Sequence, residues 1–163
     1  MTVFWQGISF VWAIIGVAVI AAIYGVRAWL GYRRLERDAD EDWEYRASEG
    51  MTDRNTTKEE YISAFKRVHA PRAQLYMAMG LVSILLLTIP AFGLINYALY
   101  WVWRLSGENR AFEPGYLVWQ FSIFFFIILL WALIGAFFAR AYHRKAPGSM
   151  RDELLKQRPE YKD

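Results

Sequence analysis

Hydropathy along the chain separates into long apolar runs and short charged stretches. Three runs carry no charged residue: Val3 to Val26, Ala73 to Trp103 and Pro114 to Ala139. A helix crossing the ~30 Å hydrocarbon core needs ~20 apolar residues, and each run exceeds that. A water-facing helix keeps a polar face. These runs are apolar on every face, so the pattern predicts an all-α integral membrane protein with three transmembrane helices, at about 3–26, 73–103 and 114–139. The segment 27–72 is then a helical loop between the first two spans, and 140–163 is a tail; the whole chain reads as a single membrane domain.

Between the spans the periodicity stays helical. The first helix is expected to run on past Arg27, with Arg34 meeting Asp38 and Arg37 meeting Glu41 at i,i+4. Tyr32, Leu35, Ala39 and Trp43 form a narrow apolar stripe on that extension. Ser48-Glu49-Gly50 reads as a break. Thr57-Lys58-Glu59-Glu60 fits a capping box opening a second, amphipathic helix with Tyr61, Phe65 and Val68 on one face. Pro71 suits the first turn of the next span. Ser149 is placed to cap a short helix in the tail, reaching about Gln157.

Inside the spans, Pro90 and Gly93 predict a kink in the second. Ala132, Gly135, Ala136 and Ala139 put small residues on one face of the third, and Ala18/Ala22 with Ala21/Gly25 do the same on the first. Such stripes allow close backbone approach, so they are expected to meet each other or a second subunit. Tyr97, Tyr100, Trp101, Trp103, Phe112, Tyr116 and Trp119 gather at one end of the second and third spans, as an interfacial aromatic belt does.

Charge distribution adds an orientation. Lys and Arg number none before the first span, ten in 27–72, two in 104–113 and seven from Arg140 onward, accounting for all 19. Positive residues collect on the cytoplasmic side, so the N-terminus is expected outside and the C-terminus inside. With loops this compact, a bacterial inner membrane is the expected location, the N-terminus periplasmic. The first run has no basic n-region and no clear cleavage site, and is read as a retained helix. Arg33, Arg34, Arg67, Arg72, Arg140 and Arg144 fall where lipid headgroups lie. Asn55-Thr56-Thr57 matches a glycosylation pattern but falls on the cytoplasmic side by the charge rule, and is read as chance.

Candidate chemistry is sparse. There is no cysteine, and the two histidines, His69 and His143, sit at span borders. No ionisable side chain falls within the three runs, where ion paths and proton relays usually show one. The polar set there is Gln6, Ser9, Gln74, Ser83, Thr88, Asn96, Gln120 and Ser122. The acidic cluster Asp38, Asp40, Glu41, Asp42 and Glu44 reads as a solvated helix face. No catalytic residue, metal site or cofactor is expected, and no nucleic acid. The partners expected are membrane lipids, together with other membrane subunits or further copies of the chain. The leading reading is a non-catalytic accessory or assembly subunit of a larger membrane complex. A homo-oligomeric channel or small transporter, with Pro90, Gly93 and Asn96 lining a path, is the alternative, and an intramembrane enzyme or quinone-handling protein a third.

Overall fold

The computed structural model describes residues 2–52 and 56–157, with side chains from residue 11 onward. Asn55, and with it the glycosylation pattern, lies outside the described residues. The elements are α1 (Thr2–Ser48), α2 (Lys58–His69), α3 (Arg72–Leu105), a 3-10 turn (Arg110–Phe112), α4 (Leu117–Arg144) and α5 (Met150–Leu155). The described residues are all helix, turn or loop, with no strand. Three helices, α1, α3 and α4, are long and apolar enough to cross a membrane, which makes the chain compatible with a multi-pass membrane protein. Their apolar side chains are largely uncovered: Leu86 and Leu94 are each 69% exposed and Phe137 is 67% exposed. Apolar faces that open are compatible with contact with lipid tails, because in water such patches are driven together.

The chain divides into two compact units, Met1–Ala22 with Tyr76–Ala141, and Ile23–Leu75 with Tyr142–Asp163. In the first, apolar unit, α3 and α4 form an antiparallel hairpin. A Gly80 Cβ would meet the Phe138 ring at 3.5 Å, and Tyr76 packs edge-on against the same ring. At ~1.5 Å per residue, the 34 residues of α3 span about 51 Å, more than the hydrocarbon thickness. The helix runs unbroken through Pro90 and Gly93. It closes where Gly107 turns to φ +73° and the Glu108 N–H reaches back to the Trp103 carbonyl at 3.0 Å. That 6→1 bond is the usual stop for a helix with a left-handed glycine after it. α4 starts three residues after Pro114 because Gly115, at φ +90°, turns the chain first.

In the second, polar unit, the end of α1 folds against α2. The turn at Glu49-Gly50 ends α1, and Thr57 opens α2 with both halves of the capping box in place. The two run antiparallel: Lys66 meets Glu36 at 2.8 Å and Lys58 meets Asp40 at 3.0 Å. Of the apolar stripe on α1, Leu35 and Ala39 are buried, Trp43 is half-buried and Tyr32 is exposed; Ala28 is buried as well. Tyr61 and Ala64 of α2 are buried, with the Trp43 and Tyr61 rings 5.2 Å apart. Pro71 stands one position before α3, its carbonyl accepting from the Leu75 N–H at 3.3 Å.

At the base of this hairpin Gly31 makes room for Pro71. A Cβ on Gly31 would stand 2.8 Å from Pro71 Cγ and 3.0 Å from Pro71 Cβ, both atoms of a rigid ring. Gly25, six residues earlier, has open space around its missing Cβ. Gly31→Ala is therefore expected to destabilise by about 1–3 kcal/mol from overpacking, partly offset by a helix-propensity gain of about 1 kcal/mol. Gly25→Ala keeps only the gain. Thermal or denaturant unfolding in detergent checks the pair, and equal behaviour of the two variants contradicts the packing described.

Candidate functional site

In the apolar unit most polar side chains of the hairpin are hydrogen-bonded within it, whereas the buried Trp103 Nε1 has no partner among the described residues. Trp131 Nε1 donates to the Thr88 hydroxyl at 2.9 Å, and that hydroxyl donates to the Ile84 carbonyl at 2.6 Å. Trp119 Nε1 donates to Asn96 Oδ1 at 3.1 Å, while Asn96 Nδ2 donates to the Phe92 carbonyl at 2.8 Å. The two ties lie on either side of Pro90. Ser83 and Ser122 return their hydroxyls to the carbonyls of Met79 and Val118, four residues back. Between the ties is a groove of about 550 Å³ walled by Ile89, Phe92, Ile123, Phe124 and Ile127. Trp119, placed in the aromatic belt from sequence, is instead buried against α3 as one of these donors.

The small-residue stripes are open. Ala132, Gly135, Ala136 and Ala139 of α4 are all exposed, and so are Ala18 and Ala22 of α1. A Cβ added at Gly135 or at Gly25 would meet nothing within 4 Å. On α4 the stripe is centred about 150° around the helix from Ile134, which is buried. Among the described residues of the apolar unit, the stripe alanines of α4 and those of α1 other than Ala21 are thus left open. Ala21 is the buried member of the α1 set.

The polar unit holds the densest chemistry. The acidic residues expected to form a solvated face mostly bind α2 instead. Lys58 bridges Asp40 at 3.0 Å and Glu44 at 3.9 Å, and Lys66 holds Glu36. Asp42 accepts from the Tyr61 hydroxyl and, at 3.0 Å, from Arg46 Nε. Of the two pairs expected along α1, Arg37–Glu41 is present at 3.7 Å, and no Arg34–Asp38 ion pair occurs among the described residues. The Tyr61 hydrogen bond holds the Asp42 carboxyl below its ordinary range. Burial, reinforced by Asp42, pushes the Tyr61 hydroxyl up to about 12.

The tail returns to α2 through α5. Ser149 caps α5, with Asp152 completing the capping box. Glu153, only 4% exposed, accepts from Lys156 Nζ at 2.6 Å and from the Gly148 N–H at 3.3 Å, and pairs with Arg67 of α2 at 3.5 Å. Ser63 donates to Gln157 Oε1 at 2.9 Å one turn along. Beside this clasp is a cavity of about 400 Å³ whose charged lining is Arg67, Arg72, Arg144, Lys145, Lys156 and Glu153. It gathers three of the arginines assigned to headgroups from sequence: Arg67, Arg72 and Arg144. Arg33, which lies over the Trp29 ring at 4.3 Å, does not line it, nor do Arg34 and Arg140. Glu153 carries no signal in sequence beyond its place in a short helix. His69 stacks on Phe65 and His143 packs against Tyr142.

The Lys156 hydrogen bond leads the causes that depress the Glu153 carboxyl below its ordinary value of 4.5. A carboxylate with a lowered folded pKa stabilises above its unfolded pKa, and that stabilisation is lost as pH falls through the folded value. Acidification below about pH 4.5 is therefore expected to release α5 from α2. Hydrogen exchange of the α5 amides checks this: protection should fall with pH in the native chain and be low and nearly pH-independent in Glu153→Gln. Equal protection in both would contradict the clasp.

No protein-family model, curated protein or solved structure matches the chain.

Proposed function

We propose that this chain is a non-catalytic accessory or assembly subunit of a larger complex in a bacterial inner membrane. In this reading α1, α3 and α4 cross the bilayer. The N-terminus faces the periplasm, and the polar unit with its α1–α2 hairpin and α5 lies in the cytosol. The observation that carries it is the division of labour in the apolar unit. Thr88 and Asn96, the polar groups at mid-span, are occupied by Trp131 and Trp119, while the small-residue face of α4 is left open. A hairpin whose Thr88 hydroxyl and Asn96 amide are bound inside itself has little left there to offer a solute. A bare small-residue face admits the backbone of a neighbouring helix, where packing rather than hydrophobicity drives association.

The lysine and arginine asymmetry of 0, 10, 2 and 7 supports the orientation. The competing channel reading asks Asn96 to face a path, and its amide is committed to Trp119 and Phe92.

The test is a pair of substitutions read by blue-native electrophoresis and mass spectrometry after mild detergent extraction of the natively expressed protein. Native chain should migrate with a defined set of other membrane chains. At Gly135 an added Cβ meets nothing within 4 Å, so Gly135→Leu should keep its fold, checked by its helical circular dichroism, yet fall out of the complex, with at least a tenfold loss of co-purifying chains. Leu133→Ala, on a different face of α4, should leave the complex intact. Migration of the native chain alone, or as a homo-oligomer, overturns the subunit reading.

A further inference from the structure

We propose that the basic cavity beside the Glu153 clasp is a binding site for a phosphate group. The inference stands on the polar unit alone and does not depend on the subunit reading.

Five cations line the cavity, drawn from four places in the chain: Arg67 on α2, Arg72 at the start of α3, Arg144 and Lys145 at the end of α4, and Lys156 after α5. One carboxylate lines it with them, and that carboxylate is already engaged. Glu153 is buried, held by Lys156, Arg67 and the Gly148 N–H. It therefore acts as a post that positions Arg67 and Lys156 rather than as a counter-ion for the rest. Arg72, Arg144 and Lys145 form no ion pair among the described residues. Three uncompensated cations held around one cavity repel each other, and the repulsion is relieved by an anion seated among them.

The donor set selects the anion. Arginine presents a planar fork that binds two oxygens of a phosphate at once, and lysine adds a point charge. Three arginines and two lysines around about 400 Å³ match a phosphate with its several oxygens better than a single carboxylate. The cavity also takes in Ala70 and Arg72, where α3 begins. The positive end of that helix dipole favours the same charge. A phosphodiester in a lipid headgroup and a soluble phosphate share this chemistry.

The experiment compares three proteins: native, Arg144→Gln/Lys145→Gln in the cavity, and Arg33→Gln/Arg34→Gln outside it. Each pair removes two positive charges, so general attraction to an anionic surface falls equally in both. Nanodiscs of phosphatidylcholine with 0, 10 or 30% phosphatidylglycerol, read by native mass spectrometry, report retained lipid. Isothermal calorimetry with inorganic phosphate, in micelles free of phospholipid, reports the soluble anion. The expected result is about a tenfold loss of binding in the cavity variant only, seen with phosphatidylglycerol if a lipid is the source or with inorganic phosphate if a soluble anion is. Arg144→Lys/Lys145→Arg, which keeps the charge, should retain at least part of the affinity and guards against simple misfolding. Equal loss in the two glutamine variants, or binding of neither probe by the native chain, overturns the proposal.

Discussion

A polypeptide backbone in hydrocarbon must satisfy its own hydrogen bonds, and the three helices of this chain that are long and apolar enough to cross a membrane meet that constraint. The first two charge-free runs are helical throughout and the third from Leu117 on, and the charged residues gather in the loops and at the helix ends. The few polar side chains that remain along α3 obey the same rule on a smaller scale. Thr88 and Asn96 each give their donor to a carbonyl four residues back and receive an indole N–H from α4. Two bonds of this kind on either side of Pro90 set the register of the α3–α4 hairpin. In lipid such bonds contribute on the order of 0.6–2 kcal/mol each, so their effect is on which residues face inward more than on gross stability.

The polar unit is organised by charge instead. Carboxylates along one side of α1 meet the lysines of α2, and Tyr61 joins them through Asp42. Most of these pairs are exposed and individually worth little. What distinguishes the unit is the buried Glu153, which draws α5, α2 and the chain after α4 to a single point. Pairing at that point leaves Arg72, Arg144 and Lys145 as the surplus, and the basic cavity is the consequence.

Local features were legible in the sequence. The three runs, the break at Glu49-Gly50 and the capping boxes at Thr57 and Ser149 depend on residues within four positions of one another, and each stands where the pattern put it. Choices of partner were not legible. Asp40 and Glu36 have arginines nearby along α1 and pair instead with Lys58 and Lys66 across the turn. Trp119 looks like a belt residue until Asn96, 23 positions away, is brought beside it. Gly31 is one glycine among several, and only the Pro71 ring explains it. Periodicity puts the small residues on one face, but it cannot say whether the opposing helix belongs to the same chain.

The central claim is that the apolar helices span a membrane with the polar unit on the cytosolic side. The absence of cysteine makes that directly measurable. Glu113→Cys, in the short α3–α4 connection, and Glu49→Cys, in the turn after α1, give two single-thiol proteins to be labelled with a membrane-impermeant maleimide in intact spheroplasts. The account predicts labelling at position 113 and protection at position 49 until the membrane is disrupted. Labelling of position 49 in intact cells, or of both positions alike, would contradict it.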